Sequence, residues 1–378
     1  MPPVIDTLQH LVRINSVNSA YDGGPGEAEL ADWIAAFFAA RGIPTERQST
    51  VFPGRDNVLA RLPGRDRTRT LVLEAHMDTV SISGMSVPPF DPVIREGKLY
   101  GRGSCDTKAG LAAMMHTLAD LKQEGTVPPC DVLLAAVIDE EYSYRGVVRL
   151  CEGLQADAAI VAEPTELRAV IASKGVLRWA IEVQGRAAHS SKPHLGTNAI
   201  QHMRRVLEAL EKDDARLSQR SHPLVGQPTC NVGVIRGGVQ VNFVPDLCTI
   251  ELDRRLLPGE TAEAALAEYQ EMLDALPGVT ARNVQPLLLV DEALDTPPEA
   301  TVAQVAAQTL AAMGLNAELC GVPYGSDASK LSRAGIPSIV FGPGSIDQAH
   351  AADEFIETDQ VLTALDFYRR FVLNYPAS

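Results

Sequence analysis

The stretch TLVLEAHMD, residues 70–78, joins a short apolar run to two side chains that can bind a metal ion. An apolar, partly β-branched run of this length predicts a buried strand that ends near His76. Two similar runs follow, DVLLAAVI at 131–138 and DAAIVA at 157–162, and a helix is predicted at 108–122. Strands that alternate with helices predict an α/β domain with a mainly parallel sheet.

The pattern of the chain changes near residue 175 and changes back near residue 288. Between these points the predicted elements are a strand in VLRWAIEVQG, a helix at 197–217, strand-like pieces in TCNVGVIRGG, VQVNFVPD and LCTIELDRR, and a helix at 261–276. This succession resembles the β-α-β-β-α-β order of a ferredoxin-like α+β domain. Later come predicted helices at 299–313, 326–334 and 358–374 and strands at 316–321 and 337–342. We therefore predict an α/β domain, residues 1–175 and 289–378, interrupted by an α+β domain, residues 176–288.

Composition narrows the possible partners and the compartment. A formal net charge of −15 over 378 residues argues against binding to nucleic acid or to an anionic membrane. The first residues lack the pattern of a signal peptide, and no apolar stretch approaches the roughly 18 to 20 residues of a membrane span. The 6 cysteines show no CxxC spacing and are expected to be reduced thiols. We expect a cytoplasmic protein with no membrane partner.

Imidazole and carboxylate side chains lie where the predicted strands end, which is where α/β sheets form their sites. These side chains are His76 and Asp78 after the first strand, Asp106 before the helix, Glu140 and Glu141 after the second strand, Glu163 after the third, and His350 after the last. Taken singly, each has a simpler interpretation, such as a helix N-cap or a solvated surface residue. Their coincidence at successive strand ends favours a metal site. Two imidazoles and several carboxylates without a thiolate suit two catalytic ions that share one carboxylate and activate a water molecule.

On these segments the chain resembles the ArgE/DapE/aminoacylase/carboxypeptidase G2 family of metal-dependent amidohydrolases, whose catalytic domain is zinc aminopeptidase-like. The matching motifs are H-x-D at 76–78, G-R-G-x-x-D-x-K at 101–108, D-E-E at 139–141, E-P at 163–164 and a histidine near the C-terminus. The resemblance implies two divalent metal ions, Zn²⁺ in the first place and Co²⁺ or Mn²⁺ as alternatives. It implies that one ion is held by His76, Asp106 and Glu163, and the other by Asp106, Glu141 and His350.

The resemblance also implies roles for residues beside the ligands. Glu140 would be the catalytic base, because consecutive residues of an extended segment point in opposite directions and Glu141 faces the ions. Asp78 would hold the His76 ring through its other nitrogen. A cis peptide bond is expected between Asp106 and Thr107.

The inserted domain would be the family's lid and dimerisation domain. Its segment GRAAHSSKPHLGTNAI, residues 185–200, resembles a family motif in which the histidine, here His189, stabilises the oxyanion in a neighbouring subunit's site. Asn242 and Arg255 match segments that contact the substrate carboxylate, and an arginine fork suits that contact. Arg254 is an alternative to Arg255. A loop that contains Gly325 and Ser326 is expected to touch the substrate.

The function implied is hydrolysis of an N-acyl-L-amino acid by a homodimer, with acetylornithine deacetylases as the most similar branch. A metallo-carboxypeptidase, a dipeptidase acting on short peptides, or a succinyl-diaminopimelate desuccinylase remains an alternative. A metal-binding or small-molecule-binding protein without catalytic activity is a further alternative from a different class. A serine hydrolase is disfavoured because the chain has no G-x-S-x-G segment.

Overall fold

The chain forms two compact units in the computed structural model, which describes residues 1–376. Unit 1 contains Met1–Ile171, Thr296–Cys320 and the chain from Ser326 onward. Unit 2 contains Ala172–Asp295 and the short segment Gly321–Gly325. The brief return of the chain to unit 2 at this segment was not predicted from the sequence.

Both units contain helices and strands. The helices are α1 (Pro3–Arg13), α2 (Ala28–Ala39), α3 (Lys108–Glu124), α4 (Arg145–Cys151), α5 (Ala199–Leu217), α6 (Ala262–Asp274), α7 (Thr301–Ala312), α8 (Ala328–Arg333) and α9 (Thr358–Asn374). The strands are β1 (Thr45–Ser49), β2 (Asp56–Leu62), β3 (Asp66–His76), β4 (Val93–Arg95), β5 (Lys98–Tyr100), β6 (Cys130–Val137), β7 (Ala158–Val161), β8 (Val170–Ser173), β9 (Gly175–Gln184), β10 (Ala188–His189), β11 (Thr229–Gly237), β12 (Phe243–Val244), β13 (Leu247–Leu256), β14 (Thr280–Asn283), β15 (Leu289–Asp291), β16 (Cys320–Val322), β17 (Ser338–Val340) and β18 (Phe355–Glu357).

An eight-stranded sheet in the order β1-β2-β6-β3-β7-β17-β8-β16 forms the centre of unit 1. Its four central strands, β6, β3, β7 and β17, are parallel to one another. Strands β1 and β2 on one side, and β8 on the other, pair antiparallel. The predicted α/β fold is confirmed, and the expected parallel pairing forms the centre of a mixed sheet.

The central strands are buried along most of their length. Leu73 of β3 lies in register with Leu134 of β6 on one side and with Ile160 of β7 on the other, and all three belong to the main core. Parallel strands that read as continuous apolar runs are covered by helices on both faces. Helix α3 packs against α1 and α9, and α4 packs against α8. Because helices cover the faces of the sheet, the polar residues at the strand ends are the part of unit 1 that can carry chemistry.

Unit 2 is built around the antiparallel sheet β11-β13-β9-β14, with β15 also paired to β9. The order β9-α5-β11-β13-α6-β14 is the predicted β-α-β-β-α-β arrangement. Its core contains Trp179, whose ring lies 4.9 Å from the ring of Tyr269. The amphipathic pattern of α5 explains its position, because its apolar residues, among them Met203 and Val206, join this core.

Two predicted strands are shorter in the structure than expected. In VQVNFVPD only Phe243–Val244 forms a strand, and it pairs with β10 instead of joining the sheet. Val239 and Val241 of that segment are 88% and 101% exposed, so their alternation does not mark a buried face. The strand expected at 316–321 begins only at Cys320. No helix among residues 1–376 is long and apolar enough to cross a membrane.

Candidate metal centre

The parallel strands place the candidate ligands at one edge of the sheet. His76 is the last residue of β3, Glu141 follows β6 and Glu163 follows β7. His350 lies in the loop that follows β17. Neighbouring parallel strands end at the same edge, so residues far apart in sequence meet there.

The predicted ligands form two groups, His76 with Asp106 and Glu163, and Asp106 with Glu141 and His350. Within each group the ligand atoms lie within 4.8 Å of one another. Asp106 serves both groups through different oxygens, because its Oδ1 is 3.0 Å from His76 Nε2 and its Oδ2 is 3.4 Å from His350 Nε2. Two atoms that each lie about 2.1 Å from a tetrahedral ion are about 3.4 Å apart. The spacing therefore suits two ions with Asp106 between them.

The main-chain oxygen of Asp78 determines which hydrogen bond the Nδ1 atom of His76 makes. His76 Nδ1 lies 3.0 Å from the main-chain oxygen of Asp78, which can only accept a hydrogen bond. Nδ1 therefore donates to this oxygen, and Nε2 is the ring nitrogen that faces Asp106 and would bind an ion. The expected contact of Asp78 with the second ring nitrogen is present, but it is made by the main chain.

The carboxylate of Asp78 contacts main-chain groups of the loop that follows β6. It accepts hydrogen bonds from the main-chain N–H groups of Glu140 and Glu141, at 3.1 Å each. Its Oδ1 lies 3.6 Å from His76 Nδ1, beyond hydrogen-bond distance. The side chain of Asp78 therefore orients the two consecutive glutamates more directly than it orients His76.

The protein supplies too little positive charge around the two ligand groups to balance their carboxylates. Burial raises the pKa of Glu163 well above its usual range, and the charge of Asp106 adds to the rise. Burial also raises the pKa of Glu141 to about 7. Oε1 of Glu141 is buried and has no hydrogen-bond partner among the described residues. An unpartnered buried carboxylate oxygen in a set of nitrogen and oxygen donors fits divalent cations.

Glu140 belongs to neither ligand group. Burial raises the pKa of Glu140 well above its usual range, and the carboxylates of Asp327 and Glu141 add to the rise. A carboxyl group with a raised pKa can both take up and release a proton near neutral pH. Glu141 and Glu163 share this raised pKa, so what distinguishes Glu140 is its position outside both ligand groups.

Two residues of the candidate site have left-handed backbone conformations. Asp139, directly before Glu140, has φ 66°, and His350 has φ 61°. Such conformations cost about 1–3 kcal/mol for residues other than glycine and persist only where the surrounding contacts fix them. Tyr144 N–H donates to Asp139 O at 2.7 Å, which closes the turn that carries Glu140.

A buried polar network supports this turn, and the sequence analysis did not find it. Asn18 Nδ2 donates to Asp78 Oδ2 at 2.7 Å and to Asp139 Oδ1 at 2.9 Å. Arg55 donates to both oxygens of Glu27 at 2.6 Å and to Asp139 at 3.3 Å. These residues belong to no recognised motif, so no sequence signal marks them. They link the N-terminal segment to the loop that carries both glutamates.

The Asp106–Thr107 peptide bond is cis, as the resemblance implied. Thr107 Oγ1 donates to Ala162 O at 3.0 Å, which connects the loop that carries Asp106 to the end of β7. The loops that supply two members of the first ligand group are therefore joined directly.

In unit 2, two of the predicted substrate contacts lie on neighbouring segments. His189 pairs with Phe243 across β10 and β12, and Ser190 N–H donates to Asn242 O at 3.0 Å. The N–H of Ser191 donates to His189 Nδ1 at 3.2 Å, so the ring proton is on Nε2. His189 is exposed, and its Nε2–H is available as a hydrogen-bond donor.

The two adjacent arginines of β13 have different environments. Arg254 is 1% exposed and donates to both oxygens of Glu260, at 3.2 and 3.1 Å. The Arg255 side chain is 29% exposed and pairs with Asp253 at 2.8 Å. Side chains alternate along a strand, so Arg254 and Arg255 point in opposite directions. Arg254 points into the unit, where it pairs with Glu260. Arg255 is therefore the arginine that a ligand can reach.

The predicted loop with Gly325 and Ser326 is more enclosed than expected. A Cβ atom on Gly325 would lie 2.2 Å from Asp291 Oδ2, so a larger residue would displace the Asp291 side chain. Ser326 is 1% exposed, and its hydroxyl accepts from Ala328 N–H at 3.4 Å near the start of α8. In this structure the serine hydroxyl supports the helix start.

Comparison with known proteins gives concordant results. A family model described as peptidase family M20/M25/M40 matches residues 72–374. Acetylornithine deacetylase of Pectobacterium carotovorum subsp. carotovorum (strain PC1) is 32% identical over 375 residues, covering 95% of this chain and 94% of that protein. Among solved structures, a tripeptidase from Staphylococcus aureus aligns with a TM-score of 0.80 at 22% identity, covering 98% of this chain and 96% of that one. A Bacillus subtilis protein described as a dinuclear metal binding peptidase from M20 family aligns with a TM-score of 0.76 at 15% identity, covering 98% and 97%. At these identities the two structures show the shared fold.

Replacing Asn18 tests the network behind the glutamates. We expect Asn18→Asp to lower the free energy of unfolding by about 2–4 kcal/mol, because it removes donors and adds negative charge between Asp78 and Asp139. Urea unfolding in excess chelator measures the change. Asn316→Asp, the same substitution at an exposed site, is the control and should stay within about 0.5 kcal/mol of the wild type. Equal midpoints for both variants would contradict this role for Asn18.

Proposed function

The chain belongs to peptidase family M20/M25/M40, and we propose that it is a two-metal amidohydrolase that cleaves an N-acyl-L-amino acid into a carboxylate and a free amino acid. The observation that carries the proposal is the sharing of Asp106 between two ligand groups. The similarity to an acetylornithine deacetylase along nearly the whole chain favours an acetylated substrate. Metal-dependent hydrolysis is the chemistry common to the proposal and to its peptidase alternatives.

His76, Asp106 and Glu163 would hold one ion, and Asp106, Glu141 and His350 the other. Nitrogen and oxygen donors without a thiolate favour Zn²⁺, and Co²⁺ or Mn²⁺ accept the same donors. When bound, such ions polarise the amide carbonyl and lower the pKa of a water molecule toward about 7.

Glu140 is the proposed catalytic base and acid. It takes a proton from the attacking water and delivers a proton to the leaving nitrogen, so that the products are a carboxylate and an amine. Its raised pKa supports this role, because the carboxyl group can hold the proton between the two steps. Asp78 keeps the main chain of Glu140 and Glu141 fixed, so that one glutamate serves proton transfer and the other serves as ligand.

The inserted unit supplies the proposed substrate contacts. His189 Nε2–H would donate to the oxyanion that forms on the carbonyl oxygen. Arg255, with Asn242, would bind the substrate carboxylate, because the Arg255 side chain is partly exposed, whereas Arg254 is buried and paired with Glu260 inside the unit. Gly325 and Ser326 remain proposed only as part of a loop near the substrate.

We also propose a homodimer through unit 2. Strand β11 is an edge strand of its sheet, and unpaired edges are ready to pair with another chain. Ile235 of β11 is 56% exposed, and Ile200 and Leu247, near the same end of the strand, are also exposed. A second copy of the chain, related by two-fold symmetry, would cover this apolar edge. His189 would then act in the neighbouring subunit's site.

A substrate panel tests the proposed specificity. We expect kcat/KM for N-acetyl-L-ornithine to exceed that for an N-succinyl amino acid and for a dipeptide at least ten-fold, a difference of about 1.4 kcal/mol in activation free energy. The net charge of −15 favours a substrate with a cationic side chain. Released amine measures the rates with zinc or cobalt present. Fastest cleavage of the dipeptide would establish the peptidase alternative, and no cleavage at all would leave only a binding role.

Replacing Glu140 separates proton transfer from metal binding. We expect Glu140→Ala to keep two metal ions per chain and to lose turnover by about 10²–10⁴-fold, because the ligands are intact and the base is gone. Elemental analysis and amine release measure the two quantities. Glu299→Ala, at an exposed position, should keep both. More than a tenth of wild-type turnover in Glu140→Ala would show that another group is the base.

A charge on the apolar edge tests the dimer. We expect the wild type to sediment as a dimer at micromolar concentration and Ile235→Asp to sediment as a monomer, because the carboxylate would be desolvated in the contact. Ile82→Asp, which changes an exposed isoleucine of unit 1, should remain a dimer. A monomeric wild type would contradict both the dimer and the action of His189 in a neighbouring subunit.

A further inference from the structure

Glu354 is a buried carboxylate four residues after His350. Its Oε1 accepts from the main-chain N–H groups of Cys105 and Asp106, at 2.9 and 3.1 Å. Its Oε2 accepts from the main-chain N–H of Gly103 at 3.0 Å. One side chain thus binds three N–H groups of the loop that carries Asp106.

An ion pair and a main-chain contact complete this arrangement. Arg102 Nη1 donates to Glu354 Oε2 at 2.8 Å, and both side chains are nearly completely buried. Gly101 N–H donates to Glu354 O at 3.1 Å. Burial raises the pKa of Glu354, and the three main-chain N–H groups and the Arg102 guanidinium counteract part of this cost of desolvation. The loop is therefore held from Gly101 to Asp106 by one residue.

The loop conformation leaves little freedom for the main chain. Gly103 has φ 78°, and a Cβ atom there would lie 2.7 Å from Thr79 Cγ2 and 3.1 Å from Lys108 Cδ. Only glycine satisfies both the left-handed conformation and the close approach. This turn directs the N–H groups of the loop toward a single point, and such a concavity binds a negative charge.

We propose that Glu354 is a positioning residue that fixes the shared carboxylate of Asp106 relative to His350. The proposal rests on the two-metal site proposed above. Glu354 belongs to the segment that carries His350 and binds the main chain of Asp106, so it joins the two segments that meet at the second ligand group. Changes at Glu354 then act on metal affinity through Asp106, without contact between Glu354 and an ion.

The length and the charge of Glu354 are both needed. A glutamine has one acceptor oxygen, so its NH₂ group would face hydrogen-bond donors, and Arg102 would lose its opposite charge. An aspartate would keep the charge but be shorter by one methylene group, so its oxygens could not reach all four donors. Partners that orient metal ligands typically change metal affinity by about 10–100-fold when they are removed.

Zinc titration of metal-free protein tests the proposal. We expect Glu354→Gln, folded by circular dichroism, to bind at least one of two zinc ions 10–100-fold more weakly than the wild type, measured by competition with a chromogenic chelator. Asp353→Asn removes the same charge at the preceding, exposed position and should match the wild type. A purely stabilising role would lower the unfolding midpoint of Glu354→Gln and leave its zinc affinity unchanged, which would overturn the proposal. A wild type that binds no zinc would instead overturn the proposed function.

If Glu354→Gln does not fold, hydrogen exchange of the wild-type protein tests the same proposal. All donors and acceptors of the arrangement belong to the protein, so we expect slow hydrogen exchange in peptides covering residues 101–107 of the metal-free protein, with little further slowing on addition of zinc. Rapid exchange in the metal-free protein, slowed only by zinc, would show that the ions order the loop and that Glu354 does not position Asp106.

Discussion

The carboxylate of Asp106 is the feature on which the rest of the site depends. It stands between the imidazoles of His76 and His350 and offers a different oxygen to each. Hydrogen bonds from these imidazoles hold the pKa of Asp106 well below its usual range, although burial acts in the opposite direction. Burial nevertheless raises the pKa of Glu163 and of Glu141, although His350 Nε2 also lies 3.1 Å from Glu141 Oε2. A shared carboxylate among unbalanced buried charges is the physical basis for a two-metal site.

The fold supports this arrangement by fixing main-chain segments before any side chain is considered. Parallel strands bring His76, Glu141 and Glu163 to one edge. Two buried carboxylates then hold the loops between them. Asp78 binds the main chain of the consecutive glutamates, and Glu354 binds the main chain of the loop before α3. Each of these two carboxylates therefore fixes the position of a loop that carries a functional group.

Much of this candidate site could be predicted from the sequence, because the candidate ligands lie in short segments at strand ends. The central strands and α3 were also predicted, since their apolar runs and helix signals are local. Helix α1 was missed, although its apolar residues recur at helical spacing and would have indicated it. Asn18 and Glu354 could not be found in this way, because a single polar residue acquires its role only from partners that are distant in sequence. The same limit applies to VQVNFVPD, whose alternation does not reveal that its valines are exposed.

The most direct test of the central claim is anomalous scattering from crystals of the zinc-loaded protein, recorded on both sides of the zinc absorption edge. The account predicts two zinc peaks per chain, one on each side of the Asp106 carboxylate. A single peak, or peaks away from Asp106, would contradict it.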